Sequence, residues 1–483
     1  MRARRWAPAF MGIALLAGCA GLPPKQKPVQ LPDSLPLEGL DSSTGGEWPA
    51  KEWWKRYEDP TLDRLIELAL ASSPTLAAAH ARYDSARQSV RIAGADSGVR
   101  VDANADIDRQ RLSDNGVFPP RLLGFNWYNQ SDLGLQASYT FDWWGKHRDA
   151  VDAAMDQAHA AQADRSAAAL MLASSVADTY FGWQADASRI ALARERAALV
   201  AQEGAISTAR IGADLDPAED TNRSDLRLAA AREQIAVLQG SAKLRVVALA
   251  ALIGRPLTEL PGLEPRELPV VAGGLPDNVR IDLISRRADI TASRWRVEAS
   301  ERSRDSARAE FYPDVTINAL LGLSSIDVGR LLEYGSRVPQ ATAAVHLPIF
   351  DAGRLKANYG ATQAAIDTAV ASYQDTLVSA ARDVATQAAT RAQIAAQRAQ
   401  RAIEVDAAQR LTSSAAARVR QGIVDARAEM TARESWIEQC DALLQLDSAA
   451  LSSDIALQRA LGGGYESPQQ LATTHSNSTT TTP

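Results

Sequence analysis

The chain of 483 residues reads as an α+β membrane protein: strands that build a β-barrel, helices of unusual length, and a tandem structural duplication behind both. Three observations predict this class. Two helical runs are longer than a compact globule accommodates. Four segments switch from a helical period to strict alternation. The second half of the chain repeats the landmarks of the first.

At the N-terminus, Arg2, Arg4 and Arg5 precede an apolar run from Trp6 to Ala17 that is too brief to span a bilayer, which is the pattern of an export signal. Leu16-Ala17-Gly18 before Cys19 resembles the bacterial lipobox, in which the cut falls before the cysteine and its thiol receives a lipid. The following "AGLPPKQKPVQLPDSLPLEGL" is a proline-rich tether. Cys440, the other cysteine, stands in a helical stretch and reads as a buried thiol. Loss of residues 1–18 takes the net charge from −6 to −9, which argues against nucleic acid as a partner. No later stretch is expected to be long and apolar enough for a membrane helix, so any crossing must be by β-barrel.

The helical runs extend from His147 to about Gln202 and from Leu355 to about Arg420, alanine-rich and without proline. Helices of that length belong to coiled coils or tubes. They are related to each other. "FDWWGKHRDAVDAA" at Phe141 answers "FDAGRLKANYGA" at Phe350, and Gly145, Gly212 and Gly254 answer Gly353, Gly422 and Gly462, with offsets of 209, 208, 210 and 208 residues. Such regularity marks a duplication. Each copy reads as a helix (Leu62 to Arg91, Ile281 to Glu310), two strands, a long helix, a turn and a return helix. The expected organisation is a lipoprotein signal over 1–18, a lipidated tether over 19–60, repeats over 61–270 and 271–464, and a flexible tail over 465–483.

The strands show in alternation. Val101, Ala103, Ala105 and Ile107 interleave with Asp102, Asn104, Asp106 and Asp108; Leu133, Leu135, Ala137, Tyr139 and Phe141 oppose Asp132, Gln136, Ser138, Thr140 and Asp142. The second copy alternates likewise over Val315–Leu323 and Ala341–Ile349. One face is apolar and the other polar, and Asp102, Asp106, Asp108, Asp132 and Asp142 are expected to face a water-filled lumen. Aromatic residues mark both strand ends: Phe125, Trp127, Tyr128 and Tyr334 at the long loops, Tyr139, Phe141, Trp143, Trp144, Phe311, Tyr312 and Phe350 opposite. That is the pattern of an outer-membrane barrel. Four strands cannot close one, since closure takes about eight or more. A homotrimer, with four strands from each protomer, is the simplest closed form.

Together these features resemble the outer membrane efflux protein family, the TolC-like outer membrane factors, and within it the lipidated NodT-type branch. The resemblance runs from Trp53 to Gly464 and is carried by "FDWWGKHRDAVDAA", "RIDLISRRADITASRWRVEAS", "AEFYPDVTINALLGLSS", "LPIFDAGR" and "ALGGGY". Ala288 stands where the family usually has proline. The resemblance implies a trimeric outer-membrane β-barrel continued by a long periplasmic α-helical barrel. It implies an exit duct for drugs or toxic compounds, handed over by an inner-membrane pump through a periplasmic adaptor (membrane fusion) protein. The wording "FYPDV…LLGLSS" is closest to members serving major-facilitator pumps of the EmrB type, less so to those serving resistance-nodulation-division pumps. Ala20 is not the aspartate that retains lipoproteins at the inner membrane, so lipid of the outer membrane is the expected anchor site.

The resemblance also implies a periplasmic gate at the turns "ARIGADLDPAEDTNRSD" and "RVRQGIVDARAEMTARES". Asp214, Asp216, Glu219 and Asp220 supply acid from the first turn, Asp425 and Glu429 from the second. Arg420 matches the family's arginine two before the glycine; Val419 replaces a usual tyrosine and Thr431 a usual aspartate. In a threefold ring the acids repel unless Arg210, Arg223, Arg420 or Arg427 pairs with them. No catalytic, metal or cofactor motif is expected: His80, His147, His159, His346 and His475 have no ligand spacing, and Asp214, Asp216 and Asp220 lack the glycine and terminal glutamate of a calcium loop. The rival readings are a periplasmic helical adaptor or scaffold lipoprotein, which needs no barrel strands, and a passive porin.

Overall fold

The computed structural model describes residues 23–32, 44–115, 119–270, 274–276 and 279–466. Cys19, the signal over 1–18 and the tail from 467 lie outside them. The described residues divide into two compact units, one within 23–31, 83–161 and 293–373, the other within 44–82, 162–292 and 374–466.

The first unit holds one four-stranded antiparallel sheet, β2 (Arg100–Arg111), β3 (Trp127–Phe141), β5 (Asp314–Ser325) and β6 (Arg337–His346), in that spatial order. Each copy of the duplication contributes a hairpin, and β3 joins them by pairing with β5 from Ser131↔Ser325 to Phe141↔Val315. The register keeps odd residues together: Ala103 faces Leu135, Leu135 faces Leu321, and Ile317 faces Ala343. The alternation expected from sequence is therefore one continuous apolar face across the sheet. β2 and β6 are its edges, each without a strand partner on its outer side among the described residues.

Below each hairpin the chain enters a long helix by the same device. Asp142 accepts from the Arg148 amide at 2.8 Å and Asp351 from the Leu355 amide at 2.7 Å, while Gly145 (φ 81°) and Gly353 (φ 91°) take the left-handed turn that a side chain disfavours. The helices are α4 (Lys146–Ile211, 66 residues) and α8 (Arg354–Arg420, 67 residues), each about 100 Å at about 1.5 Å per residue. Their return helices are α5 (Glu219–Ile253) and α9 (Ala426–Ala460). A short helix, α3 (Pro120–Leu123), sits in the first hairpin loop.

In the second unit, a core forms from Trp53, Trp54 and Tyr57, from α1 (Pro60–Ser72), and from the facing residues Val176, Tyr180, Phe181, Leu249, Ile253, Leu451 and Ile455. Two buried carboxylates brace it. Asp59 caps α1 through the amides of Thr61 and Leu62 and accepts the Tyr180 hydroxyl at 2.7 Å. Asp454 accepts the Tyr57 hydroxyl at 2.7 Å and Arg391 at 2.9 Å. A two-strand parallel pairing of β1 (Thr44–Gly46) with β4 (Leu275–Pro276) completes the unit.

Three expectations need correction. The helix expected over Leu62–Arg91 is two, α1 and α2 (Pro74–Asp96), because Pro74 forces Ser73 into extended backbone. The helix expected over Ile281–Glu310 is also two, α6 (Val279–Arg286) and α7 (Ala288–Ala309). There no proline acts; Arg287 sits at the break, its guanidinium donating to Asp289 and to the Ala460 carbonyl. Finally, α5 is long and apolar enough, by composition, to cross a membrane. At its C-terminal end Leu249 and Ile253 are fully buried in the core, and Arg245 pairs with Asp186 at 2.8 Å, while Leu226, Val237, Leu244 and Val247 are exposed.

Candidate functional site

On the even-numbered face of the sheet, the acids expected to line a lumen gather on the first hairpin alone. Asp106 stands directly opposite Asp132, and Asp108 opposite Gln130. Like charges in that position repel, and nearby amides offset them: Asn104 donates to Asp106 at 3.1 Å, Gln130 to Asp132 at 3.0 Å. Asp102 receives Arg100 at 2.8 Å. The second hairpin puts Thr316, Asn318, Leu320, Gln340 and Thr342 on the same face and carries one acid there, Asp314, opposite His346 at the strand end and 3.9 Å from Lys146, so the two copies differ in the number of acids. Gln130 to Ser324 (2.8 Å) and Thr140 with Thr316 (3.1 Å) bond one hairpin to the other. Asp142 is different: it lies one residue past β3 and is engaged as the cap of α4. At that strand end Trp144 stacks on Tyr312 (4.4 Å between ring centres) and donates to the Pro313 carbonyl, while Trp143 and Phe350 stand exposed.

The turns of the second unit bring together residues 211 positions apart. Arg210, in the last turn of α4, grips Asp216 with two bonds of 2.9 and 3.0 Å. Arg427, in the first turn of α9, reaches the same carboxylate at 3.1 Å and holds Asp425 at 2.9 Å. Asp425 also caps α9 by accepting the Arg427 amide, and stands 3.8 Å from Arg210. Two acids and two arginines thus tie the first turn to the second within one protomer. The bonds hold both carboxylates below the usual range: for Asp216 the Arg210 hydrogen bond acts first, for Asp425 the Arg427 amide.

The other expected residues stand apart from this cluster. Asp220 pairs with Arg223 at 3.0 Å along α5. Asp214 and Glu219 are exposed, Asp214 in the left-handed conformation (φ 56°). That angle falls on an aspartate because the first turn is longer: Gly422 takes φ 71° in the second turn, while Gly212, its match, does not need it. Glu429 lies in the first turn of α9, and Thr431 bonds back to the Arg427 carbonyl. Arg420 closes α8 and is exposed, with no ion pair among the described residues. Sequence reasoning missed the links farther along these helices, notably Arg196 and Arg227 on Glu434 and Arg189 on Asp441.

Among the described residues no group of His, Cys, Asp or Glu is arranged to hold a metal ion. Cys440 is a half-buried free thiol, pushed above its ordinary pKa by burial and then by Glu195.

Comparison with known proteins agrees with this geometry. The profile of the family described as "Outer membrane efflux protein" matches residues 65–255 and 280–463. The multidrug resistance outer membrane protein MdtP of Escherichia coli K12 is 32% identical over 461 residues, 94% of either chain. MdtQ of Escherichia coli O157:H7, also named a multidrug resistance outer membrane protein, is 31% identical over 95% of this chain and 97% of its own. The crystal structure of the outer membrane protein VceC of Vibrio cholerae superposes with a TM-score of 0.78 at 31% identity, covering 87% of this chain and 100% of that one. The fold is that of the trimeric TolC-like outer-membrane channels, as the sequence predicts, and the protein is an efflux exit duct of the outer membrane with its helices in the periplasm. The chain belongs to the outer membrane efflux protein family.

Proposed function

We propose that three copies of this chain, lipid-anchored through Cys19, close a twelve-stranded barrel, and that the duct performs transport and no catalysis. The observation that carries this reading is the pair of open edges, β2 and β6, on a sheet with one apolar face. In a bilayer each unpaired edge amide and carbonyl is costly, and cyclic pairing of β6 with β2 of the next copy removes the cost. Asp102, Asp106, Asp108 and Asp132 then ring the lumen, with Asp142 at its periplasmic rim. The turns form the periplasmic gate, with Asp216, Asp425, Arg210 and Arg427 as its links and Asp214, Glu219, Asp220, Arg420 and Glu429 around them. Leu215 and Ile423, exposed at the two turns, offer apolar contact to an adaptor. The pump served is of the major-facilitator, EmrB-like type before the resistance-nodulation-division type.

The test is genetic. A strain lacking its own outer-membrane channels receives this chain together with an adaptor and pump of either type. Restored drug tolerance with the major-facilitator pair is the expected result. Unchanged tolerance with both pairs, with trimer present in the outer membrane, refutes the efflux partnership; altered nutrient uptake alone favours a passive porin.

A further inference from the structure

About two helical turns from the gate cluster, a second set of ion pairs joins three helices. Glu434 on α9 is its hub, with a side chain only 14% exposed. Arg196 of α4 donates to one of its oxygens at 2.9 Å, and Arg227 of α5 donates to the other. Arg227 also holds Glu203 of α4 at 2.6 Å, and Arg196 holds Glu438 at 2.9 Å. Next to the hub, Arg433 of α9 pairs with Glu195 of α4 at 2.7 Å. Glu434 stands seven residues beyond Arg427 and Glu203 seven before Arg210, about 10 Å along each helix.

We infer that Glu434, with Arg196 and Arg227, is a second latch of the channel, holding α9 against α4 and α5 when the turn links are broken. The inference rests on the gate reading above and adds residues to it. Its physical basis is the division of contacts. The turn cluster joins only the end of α4 to the start of α9, through Asp216, itself 9% exposed, and through Arg210, Arg427 and Asp425, each about a third exposed. The Glu434 hub joins three helices through a carboxylate that is largely withdrawn from solvent, and such a charge is costly to leave without its partners. Separation of α9 from α4 therefore has to break both tiers, and a channel with only the turn links removed stays partly shut. Arg196, Arg227 and Glu434 are positioning residues: they act on the width of the opening without contact to the gate carboxylates.

Single-channel recording of purified trimers in planar bilayers tests this with four proteins: wild type, Arg210→Ser/Arg427→Ser, Glu434→Gln, and the three substitutions combined. The expected result is a modest rise in open-channel fraction for each of the first two variants. A further rise, on the order of tenfold over the turn variant, is expected for the combination. Arg227→Lys keeps the charge and should open less than Arg227→Ala. Trimer yield and heat-dissociation temperature are measured alongside, because a merely structural role lowers those without changing conductance. If the turn variant opens the channel and the combination adds nothing, the second latch is overturned while the gate reading stands. If neither the turn variant nor the combination changes conductance, the gate reading itself fails and the latch with it.

Discussion

Asp454 is the most deeply held charge in the second unit, and neutralising it should loosen the end of α9. Its side chain is fully buried, with the Tyr57 hydroxyl at 2.7 Å, Arg391 at 2.9 Å and Arg56 at 3.7 Å. Burial, and then the Asp454 charge, push the Tyr57 phenol far above its ordinary range, so Tyr57 remains a donor at every working pH. Asp454→Asn keeps the volume and an acceptor for Tyr57 but removes the carboxylate charge that faces Arg391 and Arg56. Removal of one partner from a buried pair costs about 3–5 kcal/mol. Here Arg391 is 18% and Arg56 38% exposed, so solvent recovers part of that and about 2–3 kcal/mol remains. In hydrogen exchange of the last turns of α9, Leu451–Ala460, this is an acceleration of about 30- to 150-fold. Adding Arg391→Met to the variant removes the guanidinium nearest the lost carboxylate and should restore part of the protection. An acceleration under about threefold, or a double variant no better protected than the single one, would refute the reasoning.

Three further predictions follow from other parts of the chain. Cys19→Ser should abolish lipid labelling while leaving trimer in the outer membrane, because a closed barrel is held by its own apolar face; loss of all trimer would contradict this. Asp106→Asn/Asp132→Asn should weaken cation preference in reversal potentials measured across a salt gradient, and an anion-selective wild type would sink the lumen assignment. Asp156 on α4 has its pKa raised to about 6, first by burial and then by the Glu298 charge. Its folded value lies above the unfolded one, so its contribution to stability is full below the unfolded value and is lost as pH rises through about 6. Asp156→Asn should therefore stabilise the protein at pH 8, by about 1 kcal/mol after allowance for solvent screening, and do nothing at pH 4. Heat dissociation at both pH values checks it, and equal shifts would refute it.

Much of this architecture was legible in the sequence because it is written in local period. The long helices show as alanine-rich runs, the strands as alternation at Val101–Ile107 and Leu133–Phe141, and the duplication as glycines at constant offset. The paired motif "FD" at Phe141 and Phe350 carries a further signal: both aspartates precede a glycine and a helix, which is the position of a cap, and Asp142 is a cap rather than a lumen-facing strand residue. Pro74 likewise announces a helix break by itself, whereas no proline stands at the break by Arg287, whose guanidinium bonds the distant Ala460 carbonyl as well as Asp289. Of the acids and arginines expected at the turns, the structure brings together Asp216, Asp425, Arg210 and Arg427, which nothing in the local sequence separates from the rest. The structure pairs Arg210 and Arg427 with Asp216 and leaves Arg420 outside, at the end of α8. The Glu434 hub is illegible for the same reason, since its partners come from three helices.

The central claim is that the paired turns hold a channel shut. Single-channel conductance of the purified protein in planar bilayers, compared with that of Arg210→Ser/Arg427→Ser and of Arg420→Ser, tests it most directly. The account predicts low conductance for the wild type and for Arg420→Ser, and a modest but reproducible increase for the double variant. Wild-type conductance in the double variant, with normal trimer levels, would contradict it.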